Sequence, residues 1–155
     1  MGTAENPMDD ILRTAIRREI DAYNLYSSAA EMAATSHIKD ILTDLANEEV
    51  GHRDRLERLL AKSVGLLSKA QKKKVVDLKI TDYLIEVPLA PDSDFQDILI
   101  VAGKREKASY DLYSALAIVA EEDEVIRLFE FLANEEMGHK NRVEALYEEI
   151  VYQDN

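Results

Sequence analysis

Cysteine is absent from this chain of 155 residues. That excludes disulfide frameworks, thiolate metal sites and iron–sulfur ligation. It fits a reducing compartment, and a cytoplasmic location is expected. Glycine and proline are scarce, with five and three residues. Abundant Ala, Leu, Glu and Lys point to helix instead. No apolar run reaches the roughly 18 residues of a membrane-spanning helix. No basic start followed by an apolar centre marks a secretory leader. Positive charge is also short: 19 Lys and Arg stand against 31 Asp and Glu, a formal net charge of -12. Such a surface repels nucleic acid and anionic lipid, so neither is an expected partner. The length suits one domain over 1–155, which buries roughly 68–70% of its unfolded surface without staples.

What the chain does have is a stretch that occurs twice. Leu45–His52 reads LANEEVGH, and Leu132–His139, displaced by 87 positions, reads LANEEMGH. Each copy holds a Glu-x-x-His: Glu49 with His52, and Glu136 with His139. Residues three apart share a helix face, so each pair can grip one metal ion. The repeat extends further. Arg13–Leu59 slides onto Ile100–Leu146 without a gap, with about 19 identities in 47 positions. Arg18-Glu19 meets Arg105-Glu106, and Tyr23-x-Leu25-Tyr26-Ser27 meets Tyr110-x-Leu112-Tyr113-Ser114. Each half is therefore a helix pair, and the halves are related by a pseudo-twofold.

The apolar spacing gives four long helices. The first starts at Asn6-Pro7, with Asn as N-cap, and runs to about Ala34. Its face is Leu12, Ala15, Glu19, Ala22, Tyr26, Ala29 and Ala33. The second carries Leu42, Leu45, Glu49, His52, Leu56 and Leu59 and ends near Gly65. Ser93 with Gln96 reads as a capping box for the third, whose face is Leu99, Ala102, Glu106, Ser109, Tyr113, Leu116 and Ala120. Glu121–Asp123 marks a break before the fourth, with Phe129, Leu132, Glu136, His139, Val143 and Leu146. Between the pairs (7–64 and 93–151) lies a connection over 65–92, too long for a tight turn. In it Lys72–Lys74 reads as a solvated loop and Val75–Val87 as a short helix or an extended piece. The expected fold is all-α: a four-helix bundle with a long crossover between its second and third helices.

Ionisable groups interrupt all four apolar faces at one depth. Four carboxylates in one core cannot all stay ionised without cations, because burying an ion costs several kcal/mol. Two divalent metals balance them. Two solvated helix faces are the competing reading of Glu49, His52, Glu136 and His139, and the unbroken apolar frame argues against it. For Glu19 and Glu106 the competitor is surface pairing with Arg18 and Arg105; their matched register favours the core.

A Glu from each of two helices plus Glu-x-x-His from each of the other two is the ferritin-like di-iron pattern. Over about Asp9–Leu60 and Asp92–Ile150 the sequence resembles the ferritin-like superfamily, within it the rubrerythrin-like proteins and the bacterioferritins. The resemblance and the symmetry imply Glu19 and His52 as ligands of one metal, Glu106 and His139 of the other, and Glu49 and Glu136 as bridges. Two iron ions are the implied cofactor, with Mn or Zn compatible with the same donors. The implied activity is reduction of H₂O₂ or O₂ at the di-iron centre. Ferroxidation with iron storage or transfer, or a non-catalytic metal-binding bundle, are the alternatives.

Two departures from the rubrerythrin pattern stand out. Lack of Cys means no rubredoxin domain here, so a separate, rubredoxin-like electron donor is expected. Ser109 stands where the rubrerythrin peroxidases carry an extra Glu, which leaves a ligand set closer to that of bacterioferritin; no equivalent of the bacterioferritin haem-binding Met is assignable. Related bundles pair, so a homodimer or higher homo-oligomer is expected.

Around these six residues stand several candidates. Tyr26 and Tyr113 would hydrogen-bond a carboxylate or relay a proton or electron, unless they only pack. Glu48 and Glu135 would orient the opposite histidine through its second nitrogen, unless they are solvated. Gly51 and Gly138 suggest close helix approach or room near the site. His37 has no repeat partner and reads as surface.

Overall fold

The computed structural model describes residues 7–62, 68–84 and 86–153. Five α-helices carry the chain: α1 (Pro7–Met32), α2 (Ser36–Ala61), α3 (Lys69–Asp77), α4 (Phe95–Val119) and α5 (Asp123–Gln153). A 3₁₀ helix, Ile80–Leu84, follows α3. No strand occurs among the described residues. α1 packs closely against α2, and α4 against α5, while α1–α4 and α2–α5 contacts join the two hairpins. This is the ferritin-like bundle that the repeat implies. Among the described residues no helix is long and apolar enough to cross a membrane.

The helix limits differ from the sequence expectation where local hydrogen bonds decide them. α1 ends at Met32, and the Ala33 N–H turns back to the Ala30 carbonyl at 3.3 Å, which closes the last turn. Thr35 then caps α2 by accepting from the Ile38 N–H at 3.2 Å. The α4 cap is not the Ser93–Gln96 box. Asp94 accepts from the Asp97 N–H at 2.8 Å and the Asp97 carboxylate accepts from the Asp94 N–H at 3.3 Å. Ser93 is occupied elsewhere: its hydroxyl donates to the Ala90 carbonyl at 2.7 Å, closing the turn before the helix. Asp123 belongs to the first turn of α5 rather than to the break. The Asn6 cap and the Gly65 helix end lie outside the described residues.

The crossover is largely helical. Lys72–Lys74 are exposed as expected, but on α3 and not in a loop. A Ser68–Gln71 capping box starts that helix. Its last turn and the 3₁₀ helix account for most of the stretch read as a short helix or an extended piece. Ile80 drops from the crossover into the core, fully buried.

Two apolar clusters build that core. One joins Leu12 and Ala15 of α1, Leu56 and Leu59 of α2, Leu112 and Leu116 of α4 and Phe129 and Leu132 of α5, with Ile80. The other joins Ala22 and Ala29, Leu42 and Leu45, Leu99 and Ala102, and Val143 and Leu146. Each fully buried aliphatic side chain contributes about 1.5–3 kcal/mol. Along every long helix the residues between the two clusters are the ionisable ones. A polar layer is thus clamped between two apolar ones.

Candidate metal centre

The layer consists of Glu19, Glu49, His52, Glu106, Glu136 and His139, none more than 2% exposed. All six sequence candidates meet there. One donor atom each from Glu49, His52, Glu136 and His139 lie within 4.8 Å of one another. His52 Nδ1 stands 2.8 Å from Glu136 Oε1, 3.5 Å from Glu19 Oε2 and 3.6 Å from Glu49 Oε1. His139 Nδ1 stands 2.6 Å from Glu49 Oε1 and 3.4 Å from Glu106 Oε2. Glu49 and Glu136 therefore each face the histidine of the opposite half, and Glu19 and Glu106 each face one histidine.

These short distances are not hydrogen bonds. Glu19 Oε2, Glu49 Oε1, Glu106 Oε2, Glu136 Oε1 and both Nδ1 atoms are buried without a hydrogen-bond partner. Buried polar atoms are nearly always partnered. Six orphaned atoms whose lone pairs aim into one small space fit divalent cations, and the oxygen and imidazole donors suit iron, manganese or zinc.

The second oxygens of Glu19 and Glu106 are held. The Tyr113 hydroxyl donates to Glu19 Oε1 at 2.7 Å, and the Tyr26 hydroxyl to Glu106 Oε1 at 3.0 Å. Each tyrosine reaches the glutamate of the other half, not the one on its own helix. Burial, followed by the nearby carboxylates, pushes both phenols well above their usual pKa, so both keep the proton they donate. Glu135 Oε1 lies 3.4 Å from His52 Nε2 and Glu48 Oε1 lies 3.5 Å from His139 Nε2. A proton on Nε2 facing these carboxylates leaves Nδ1 as the free lone pair, the tautomer a metal needs.

Electrostatics in the protein without cations follow from the crowding. Burial first, then repulsion by neighbouring carboxylates, raises Glu49 and Glu136 well above the usual glutamate pKa. Burial would also raise Glu19, but the adjacent His52 imidazole and Glu49 outweigh it and hold Glu19 low. His52 moves up: burial opposes the shift, and Glu19 and Glu135 overcome it.

Sequence reasoning did not single out Arg142, whose Nη1 donates to Glu48 Oε2 at 2.7 Å. Burial raises Glu48, yet the Arg142 bond prevails and keeps it below the usual value. Its signal was present: Arg142 is one of the repeat identities, matching Arg55. A cavity of about 50 Å³ also reaches the layer, walled by Glu49, Glu106, Glu136, Ser109, Arg18 and Arg105 among others. Arg105 Nε donates to the Val87 carbonyl at 2.9 Å, tying the crossover beside this cavity. Gly51 and Gly138 do not mediate close helix approach: a Cβ at either would meet nothing within 4 Å. His37 is exposed, 3.6 Å from Glu149 and far from the layer in its contacts.

Fold and site together define the class, a ferritin-like helical bundle built around a buried carboxylate–histidine cluster. The family model described as Rubrerythrin matches residues 10–147. The chain belongs to the rubrerythrin family. No curated protein and no solved structure was matched.

Proposed function

We propose that this protein is a non-haem di-iron oxidoreductase that reduces H₂O₂ or O₂, with electrons from a separate donor protein. The observation that carries the reading is the set of orphaned donor atoms, three carboxylates around one histidine and two around the other, on six residues none more than 2% exposed. Glu19 with His52 and Glu106 with His139 would each hold one ion, and Glu49 and Glu136 would bridge. Bound there, an iron pair supplies two electrons, one from each ion, which with two protons reduce H₂O₂ to water.

The chain's own groups do the rest. Tyr113 and Tyr26 fix one oxygen of Glu19 and Glu106 and leave the other free for an ion. Glu135 and Glu48, 3.4 and 3.5 Å from Nε2 of His52 and His139, favour a proton on that nitrogen. The apolar clusters on both sides exclude bulk water from the layer. The cavity of about 50 Å³ has room for a few water-sized molecules, since one needs roughly 10–15 Å³. That size suits H₂O₂ or O₂ and refuses a larger substrate by this path.

The test is anaerobic loading with Fe²⁺ followed by stopped-flow mixing with H₂O₂ or O₂. Two irons per chain and oxidation faster than free Fe²⁺ in the same buffer are expected, and a chemical or protein reductant should restore the starting spectrum through repeated cycles. Oxidation no faster than free Fe²⁺ would sink the enzymatic reading. A mass corresponding to a large cage, with iron retained beyond two per chain, would move the protein to iron storage.

A further inference from the structure

The internal repeat makes each half a control for the other. Arg55 and Arg142 are equivalent, each three residues beyond a site histidine. Glu48 and Glu135 occupy equivalent places, 3.5 and 3.4 Å from Nε2 of the opposite imidazole, and only the Glu135 contact is short enough to be a hydrogen bond. There the equivalence stops. Arg142 clamps Glu48 at 2.7 Å, which sets the Glu48 carboxylate beside His139, 3.5 Å from its Nε2. Arg55 makes no such bond. Its guanidinium carbon lies 4.6 Å from the centroid of the Phe131 ring. Among the described residues His52 is the only basic side chain within ion-pair distance of Glu135. One difference between the halves explains this: Phe131 stands where the first half has Asp44. A guanidinium stacks readily on an aromatic face, so the ring holds Arg55 away from Glu135. The same ring meets His52 edge-on, with centroids 6.4 Å apart.

From this, and resting on the two-metal reading above, we infer that the two metal positions are unequal: the one served by His139 and Glu106 fills first and binds more tightly, with Arg142 as its positioning residue. The carboxylate behind a ligating imidazole fixes the ring and its tautomer, and losing that support costs about 10–100-fold in metal affinity. Glu48 is held by a second cation, Arg142, whereas Glu135 has only its long 3.4 Å contact with His52 Nε2 to hold it among the described residues. Pairing with Arg142 also cancels part of the Glu48 charge, which would weaken its pull on His139. That effect is the smaller one. Both glutamates are over a third exposed, 38% and 36%, so solvent screens their charge, while it does not undo an orientation.

Bridging carboxylates can make two binding steps differ even in a symmetric centre. The test must therefore show which position fills. Metal-free, full-length protein given one equivalent of Mn²⁺ is crystallised, and anomalous scattering reads the occupancy of each position; calorimetric titration gives the two constants. The His139–Glu106 position should carry about tenfold more metal than the other. Arg142→Gln should weaken that position about tenfold and even out the occupancies. Phe131→Leu, which removes the platform under Arg55, should even them by the other route, tighter binding at the His52 position. Arg55→Gln should leave the preference as it is. Equal occupancy in the unaltered protein, or a preference that survives Arg142→Gln, overturns the inference. Absence of Mn²⁺ from both positions overturns the two-metal reading beneath it, a result distinct from two positions filled alike.

Discussion

Tyr113 donates its hydroxyl to Oε1 of Glu19 at 2.7 Å, across 94 positions of sequence. The bond ties α4 to α1 at the level of the polar layer. Removing it with Tyr113→Phe leaves a buried carboxylate oxygen unpartnered. A hydrogen bond to a charged group is worth about 1.5–3 kcal/mol. Urea unfolding of the metal-free protein should show a loss of that size. Tyr26→Phe should behave alike through Glu106. A loss under half a kilocalorie would mean that the carboxylates find other partners.

Metal-free stability should fall as pH rises from about 5 to 8. Unfolded glutamates titrate near 4.3, whereas Glu49 and Glu136 in the folded chain hold their protons to higher pH. Their contribution is complete below the unfolded value and is lost as pH climbs through the raised folded values. His52, also raised, acts in the same direction above its ordinary value near 6.5. Glu19 is depressed, so its contribution is present above the ordinary value and is lost only as acid protonates it. Divalent metal should reverse the trend, because its ligands must shed protons to bind. Urea midpoints taken across this range with and without Mn²⁺ check both halves of the claim; a flat metal-free profile would contradict it.

Glu49→Gln should separate stability from metal binding. The amide keeps the shape and removes an acid that the metal-free layer must hold protonated above its ordinary pKa. Replacing buried ionic groups by neutral ones often stabilises by about 1–4 kcal/mol, and a gain in that range is expected for the metal-free protein at neutral pH. Metal binding should fall at both positions, since Glu49 faces both histidines. Thermal unfolding and metal analysis on the same preparation read the two effects. Lower metal-free stability would show that the Glu49 carboxylate has a partner that an amide cannot satisfy.

Lys79 offers a test away from the centre. It has φ 53, the only positive value at a non-glycine among the described residues, just beyond the α3 C-cap Leu78. Left-handed backbone costs a residue with a Cβ roughly 1–2 kcal/mol, and glycine is the usual occupant of this position. Lys79→Gly should raise the melting temperature by about 2–4 °C. An unchanged or lower value would mean that the lysine side chain makes up for its backbone.

The four long helices and all six layer residues were legible because two independent signals agreed. The three–four spacing marked the buried faces, and the repeat put Glu19 and Glu106 in matching register. Caps and crossover were less legible because local competition decides them. Ser93 and Asp94 are adjacent capping residues, and only the turn to Ala90 tells which one is free. Lys72–Lys74 carry no apolar face to reveal a helix. Ile80 gives the crossover its anchor, yet one buried isoleucine makes no pattern. Arg142 was visible as a repeat identity, but its partner lies on another helix at a distance of 94 residues, which no spacing rule reaches.

The cross-half bonds have a consequence for ancestry. Tyr26 serves Glu106, Tyr113 serves Glu19, Glu48 serves His139 and Glu135 serves His52. A single helix pair of this sequence type holds all the parts and can use none of them alone; two identical copies meeting about a twofold axis would complete every bond. Joining the copies in one polypeptide ends the requirement that they stay identical. Each position can then drift on its own, and Phe131 opposite Asp44 is a place where that freedom has been used.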